Sequence, residues 1–162
     1  MSEEMHHGME LSYAGICFDL FGTLVSDEGA AIAGARETLA SLGGERWAIV
    51  TSAPRAIALA LIRRAGLVTP PVMISADDVT RGKPAPEPYM LAVRRMGVAP
   101  ARALVIEDSA SGVDAAHAAG MEAVYVLRGR PSSACARADY YVERFDQLAI
   151  RVAGGGELLV TI

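Results

Sequence analysis

Three times along this 162-residue chain a short apolar run stops on a polar group. Ile16-Cys17-Phe18 runs into Asp19, Trp47-Ala48-Ile49-Val50 into Thr51-Ser52, and Leu104-Val105-Ile106 into Glu107-Asp108. Runs this short, bounded by turn residues, are the pattern of strands buried on both faces of a parallel sheet. Residues 72–75 and 123–127 repeat the pattern, and 138–142 offer a short sixth strand. Helical stretches lie between them. Ile32, Ala35, Leu39 and Leu42 recur at helical spacing up to Gly43-Gly44, and Ile57, Leu61 and Ile62 follow Pro54. Tyr89, Met90, Val93 and Met96 follow Pro86, and an Ala-rich stretch fills 109–120. The alternation predicts α/β architecture: a single doubly wound, mostly parallel sheet spanning residues 13–162. The stretch 148–162 alternates around Gly154-Gly155-Gly156 and predicts a C-terminal β-hairpin. Residues 1–12 read as a polar leader.

Composition narrows the function classes. Hydrophobic residues make up 52 % of the chain, enough for a full core, and the net charge is −4 with no block of like charges. That is not the basic footprint of a nucleic-acid binder. The longest apolar runs, such as 56–62, are far too short to cross a bilayer, and the first residues show no secretory pattern. Cys17 and Cys135 make no disulfide framework. A cytoplasmic domain is the expectation.

In an open parallel sheet, ligands bind beyond the carboxyl ends of the strands. Asp19, Thr51-Ser52 and Glu107-Asp108 would gather there, with Lys83 from the loop Arg81-Gly82-Lys83-Pro84. Two acidic clusters at one edge repel by roughly 4 kcal/mol for unit charges ~4 Å apart at an effective dielectric near 20. A hard cation with oxygen ligands removes that penalty, and Mg²⁺ commonly takes one or two carboxylates plus substrate phosphate. Asp19 at a strand mouth can be a covalent nucleophile, a metal ligand, or both. The Thr51 hydroxyl and the Ser52 N–H suit phosphate oxygens, and Lys83 supplies a compact positive charge. Singly, each has a plainer reading: Thr51 and Asp108 as caps, Lys83 as a loop charge, Asp19 as a turn residue. His117 reads as a surface or packing residue, and Asp77-Asp78 as the start of a turn.

In this order the residues resemble the haloacid dehalogenase superfamily of hydrolases, most of which are Mg²⁺-dependent phosphatases. The matching segments are Phe18-Asp19-Leu20-Phe21-Gly22-Thr23-Leu24, Ile49-Val50-Thr51-Ser52, residues 82–89 beginning Gly82-Lys83-Pro84, and Val105-Ile106-Glu107-Asp108-Ser109 running on to Ala118-Ala119-Gly120. From Trp47 onward the chain is similar to the sugar-phosphate phosphatases that include β-phosphoglucomutase. The resemblance implies the Rossmann-like core of that superfamily and an aspartyl-phosphate formed on Asp19. It also implies phosphoryl oxygens held by Thr51, the Ser52 amide and Lys83. The Mg²⁺ site would use Asp19, the Phe21 carbonyl, Asp108, and Glu107 directly or through water.

Two departures qualify what the resemblance implies. Phosphatases of the family carry a second aspartate two positions after the nucleophile, where this chain has Phe21. General acid–base catalysis is worth ~10²–10⁴ in rate, or about 3 to 5 kcal/mol of barrier. A slow enzyme, selective for good leaving groups such as aryl or acyl phosphates, is expected. Sugar-phosphate members also insert a helical cap domain between the first motif and the threonine motif, and here only residues 25–29 stand there. A capless site would lie open to a phosphorylated substrate, small or macromolecular, or be roofed by a second copy in a homo-oligomer. Two alternatives remain: a catalytically impaired binding or scaffold module, and a haloacid dehalogenase, to which the aromatic at position 21 points and the acidic pair does not.

Overall fold

The structure, a computed structural model, describes residues 8–130 and 133–162. Its strands are β1 (Glu10–Tyr13), β2 (Gly15–Phe18), β3 (Trp47–Val50), β4 (Val72–Ile74), β5 (Ala103–Glu107), β6 (Glu122–Val126), β7 (Tyr140–Val142), β8 (Ala149–Val152) and β9 (Leu158–Thr161). Six of them form the expected sheet in the order β4-β3-β2-β5-β6-β7. All neighbours in it are parallel, with Cys17 opposite Ala48 on one side and Val105 on the other. Strand placement follows the apolar runs closely, because a strand covered on both faces has no polar position to give up.

The sheet is covered on both faces. Ile16, Phe18, Trp47, Ile49, Leu104 and Ile106 point into one core, packed by α1 (Ala35–Leu42) and α2 (Arg55–Arg64). Phe18 meets Trp47 edge-on there, with ring centroids 6.1 Å apart. Cys17, Ala48, Val50 and Val105 point the other way, onto α3 (Glu87–Met96) and α4 (Ala110–Ala118). Alternate residues of each strand thus feed opposite cores, the period-2 consequence of the pleat. α4 contributes Val113, Ala115 and Ala116, small side chains that let it lie close to the sheet. A short helix, α5 (Ser133–Arg137), precedes β7.

The C-terminal hairpin is present: β8 and β9 pair antiparallel across Gly154–Gly156. The leader reading fails at its end. Residues 10–12 belong to β1, which pairs antiparallel with β9, Glu10 opposite Thr161 and Tyr13 opposite Leu158, to make a separate three-stranded sheet. Its half-polar sequence carries little strand signal, and its partner is remote in the chain, so the pairing was invisible locally. Residues 1–7, with His6-His7, lie outside the described residues. Among the described residues no helix is long and apolar enough to cross a membrane.

Candidate active site

The chain leaves β2 toward β3 and β4 on one side, then returns to build β5, β6 and β7 on the other. The crevice at such a reversal, outside the carboxyl ends of the two central strands, is where open α/β sheets bind ligands. Asp19 follows β2 directly and its N–H donates to the Ile106 carbonyl at 3.0 Å. Thr51 follows β3, tied through its N–H to the Ile74 carbonyl at 2.9 Å. Glu107 closes β5 and Asp108 follows it. Backbone ladders therefore fix three of the four polar groups.

Lys83 comes from the loop before α3, and its side chain is 4 % exposed. Its ammonium donates to Asp19 Oδ1 at 2.9 Å, to Glu107 Oε1 at 2.6 Å and to the Val50 carbonyl at 2.9 Å. All three ammonium protons are thereby used. Glu107 lies fully buried beneath the site. Its Oε1 also accepts from the Tyr89 hydroxyl at 2.7 Å, and its Oε2 from the Asp108 N–H and the Ser109 hydroxyl at 3.2 and 3.1 Å. Four donors fill the acceptor capacity of one carboxylate.

Asp19 also takes a hydrogen bond from the Thr23 hydroxyl at 3.1 Å. Between these two residues the chain turns through Gly22 at φ 86°. A Cβ there would come within 1.9 Å of Asp108 Oδ2. Glycine is thus required twice over, for the left-handed turn and for the approach of this backbone to Asp108. Asp108 Oδ2 in turn accepts from Arg128 Nη1 at 3.2 Å. Asp19, Phe21, Thr51, Ser52, Lys83 and Asp108, with Ala53, Ser109 and Ser111, line one cavity of about 330 Å³. Phe21 stands at its mouth, 44 % exposed, and only a turn closed by Ser26 and Ala30 separates the mouth from the approach to α1.

The electrostatics follow from burial against pairing. Burial pushes the Asp19 carboxyl up to about 6; the Lys83 ammonium works against this and the Asp108 charge with it. Burial also raises Glu107, reinforced by Asp19 and opposed by Lys83 and the Tyr89 hydroxyl. Asp108 is raised chiefly by burial, with Arg128 among the groups that oppose it. Burial would lower Lys83, but the charges of Asp19 and Glu107 outweigh it and hold the ammonium well above its ordinary value.

One oxygen from each of Asp19, Glu107 and Asp108 lies within 4.8 Å of the others. The donor set is all oxygen, and Gly22 brings main chain against it, so the residues present fit a hard divalent cation. Asp19 and Asp108, expected at one rim of the sheet, do share it.

Asp19, Thr51, Ser52, Lys83 and Asp108, singled out in the sequence, meet at this crevice, with Glu107 behind them. Thr51 Oγ1 also accepts from the Ala53 N–H at 3.2 Å, so it shapes its own turn as well. Sequence reasoning missed three contributors. Tyr89 reads as core, and it is buried, but its hydroxyl serves Glu107 and its ring lies 5.2 Å from the Lys83 ammonium. Thr23 lies within the first matching segment, but its residue type alone did not disclose that its hydroxyl serves Asp19. Arg128 follows the end of β6, at the same sheet edge, and that position was its one available clue. Elsewhere, His117 is exposed and paired with Asp139 at 2.8 Å, and Asp77-Asp78 sit in a short 3₁₀ turn capped by Ser75.

Comparison with known proteins gives the family. The chain is 33 % identical over 117 residues to hexitol phosphatase A of Escherichia coli, covering 72 % of this chain and 54 % of the relative. It is 43 % identical over 95 residues to a phosphorylated carbohydrates phosphatase of Thermotoga maritima, covering 57 % and 44 %. Among solved structures, a HAD family hydrolase of Deinococcus radiodurans with bound phosphate and sodium superposes with a TM-score of 0.65 at 32 % identity, covering 73 % of this chain and 57 % of that one. The chain spans about half the length of the curated relatives it matches. The family model for haloacid dehalogenase-like hydrolases matches residues 24–120, a segment that begins after Asp19 and includes Thr51, Lys83, Glu107 and Asp108. The chain therefore belongs to the haloacid dehalogenase-like hydrolase family.

Proposed function

We propose that the protein is a Mg²⁺-dependent phosphohydrolase that works through an aspartyl-phosphate on Asp19. The observation that carries this reading is the placement of Asp19 at the switch-point crevice, 2.9 Å from a buried ammonium and beside a second carboxylate. Relatives named as phosphatases of phosphorylated carbohydrates and hexitols support a phosphorylated small molecule as substrate. An open mouth also admits a phosphoryl group carried on a larger molecule. Action in the cytoplasm belongs to the same proposal.

The residues divide the work. Asp19 and Asp108, with the Phe21 carbonyl, would hold Mg²⁺, which when bound offsets the carboxylate charges and the charge of the phosphoryl group. Glu107 has no acceptor site left, so in this reading it fixes Lys83 and the Asp108 amide instead of touching the cation. The Thr51 hydroxyl and the Ser52 N–H receive the phosphoryl oxygens, and Lys83 turns toward them the proton it now gives to Asp19. An Asp19 carboxylate oxygen forms a bond to phosphorus as the ester P–O bond breaks. The departing oxygen takes its proton from solvent, because Phe21 offers none. Water then attacks phosphorus, releases inorganic phosphate and restores the Asp19 carboxylate, its proton passing to solvent. Lack of an acid on the leaving-group side selects aryl and acyl phosphates over alkyl ones.

The test is pre-steady-state release of phenolate from an aryl phosphate with Mg²⁺. A burst that chelator abolishes is expected. Phe21 favours a second reading, a module that retains phosphate and cation binding without turnover. Phosphate-mimic binding in the absence of any burst would establish that reading in place of the first.

A further inference from the structure

Asp108 is the one carboxylate of the cluster that Lys83 does not reach. The three ammonium protons go to Asp19, Glu107 and the Val50 carbonyl. Asp108 is served instead by Arg128, whose Nη1 lies 3.2 Å from Oδ2, with side chains 23 % and 16 % exposed. The guanidinium also crowds the loop that follows the proposed nucleophile: a Cβ on Gly22 would meet Asp108 Oδ2 at 1.9 Å and Arg128 Nη1 at 2.8 Å. Arginine and carboxylate thus meet against the backbone that would face a cation.

The backbone of Arg128 is unusual. Its φ is 55°, and among the described residues it is the one non-glycine residue with positive φ. A bulky residue held there is strained, and strain of this kind persists where the surroundings over-determine it. Two bonds do so here: the Arg128 N–H donates to the Glu143 carbonyl, and the Gly129 N–H to Glu143 Oε1, both at 2.9 Å. The turn they hold carries the guanidinium to the crevice.

We propose that Arg128 is a built-in counter-cation for Asp108, one that a divalent ion must displace, and that it thereby sets how tightly the site loads. The inference rests on the reading of Asp19 and Asp108 as the Mg²⁺ carboxylates. A guanidinium 3.2 Å from Asp108 repels a second cation drawn to the same carboxylate, so the two compete for it. Arg128 is a positioning residue in the resting protein, released from Asp108 on loading.

The experiment is calorimetric titration of Mg²⁺ into wild type, Arg128→Gln and Arg130→Gln, without substrate. Arg130 is exposed, two residues further along the same loop. Arg128→Gln is expected to bind Mg²⁺ about 2- to 5-fold more tightly, the range for losing one competing, partly screened ion pair. Arg130→Gln should stay close to wild type. A residue that merely supported the fold would not improve affinity when removed. Unchanged or weaker binding by Arg128→Gln overturns the inference and leaves the phosphohydrolase reading standing. Equal tightening by Arg130→Gln overturns it too, since general charge then suffices. Wild type that binds no Mg²⁺ overturns both.

Discussion

Gly112→Ala sets helix propensity directly against the architecture of the site. Gly112 lies inside α4, where replacing glycine with alanine ordinarily stabilises by up to about 1 kcal/mol. Here the new Cβ would stand 1.9 Å from Glu107 Cδ, 2.0 Å from Oε1 and 2.4 Å from Oε2. The far end of a free side chain could swing away at little cost. Glu107 is not free: it is fully buried and its two oxygens accept from Lys83, Tyr89, the Asp108 N–H and Ser109. Moving it breaks at least one hydrogen bond to a charged group, about 1.5–3 kcal/mol, and adds about 1–3 kcal/mol of overpacking. Set against the helical gain, the net loss is about 3 kcal/mol. For a chain of this size that lowers the midpoint by roughly 6–12 °C. Thermal and urea unfolding, each followed by circular dichroism, measure it. In a Glu107→Ala background the clash is gone, so the two substitutions should be non-additive by about 2 kcal/mol or more. A Gly112→Ala protein as stable as wild type, or more stable, would refute the claim that Glu107 is pinned.

Other consequences follow from single contacts. Phe21→Asp places a carboxyl at the cavity mouth and should raise Mg²⁺-dependent hydrolysis of an alkyl phosphate by up to about 10²-fold, with a much smaller gain on an aryl phosphate; steady-state rates on the pair check it. Partial burial pushes the Asp78 carboxyl up, but hydrogen bonds from the Ser75 N–H and hydroxyl, with the charges of Arg55 and Arg95, hold it below its ordinary value. A carboxyl depressed in the folded state contributes stability that is present at neutral pH and lost as pH falls through its folded pKa. Asp78→Ala should therefore cost about 0.5–1 kcal/mol at pH 7 after allowance for solvent screening. That gap should close below about pH 4, as urea unfolding across pH would show.

Much of the site could be read from residue order because the physics was local. Asp19, Thr51 and Glu107-Asp108 each end an apolar run, and parallel strands must bring those ends to one edge. Lys83 stood out from its loop by the glycine and proline around it. What escaped was decided by long-range contact. An aromatic in the apolar stripe of α3 does not disclose where its hydroxyl points, so Tyr89 read only as packing. Glu107 and Asp108 look equivalent in sequence, yet one is saturated by four donors and the other is served by Arg128. β1 went unread for a related reason: its polar, four-residue strand gains its meaning only from β9 at the far end of the chain.

The central claim is that Asp19 receives the phosphoryl group. Acid-quenched reaction with an aryl phosphate and Mg²⁺, followed by intact-protein and peptide mass spectrometry, tests it most directly. The account predicts one phosphoryl adduct on the peptide containing Asp19, absent from Asp19→Asn. Turnover with no adduct, or an adduct on any other residue, would contradict it.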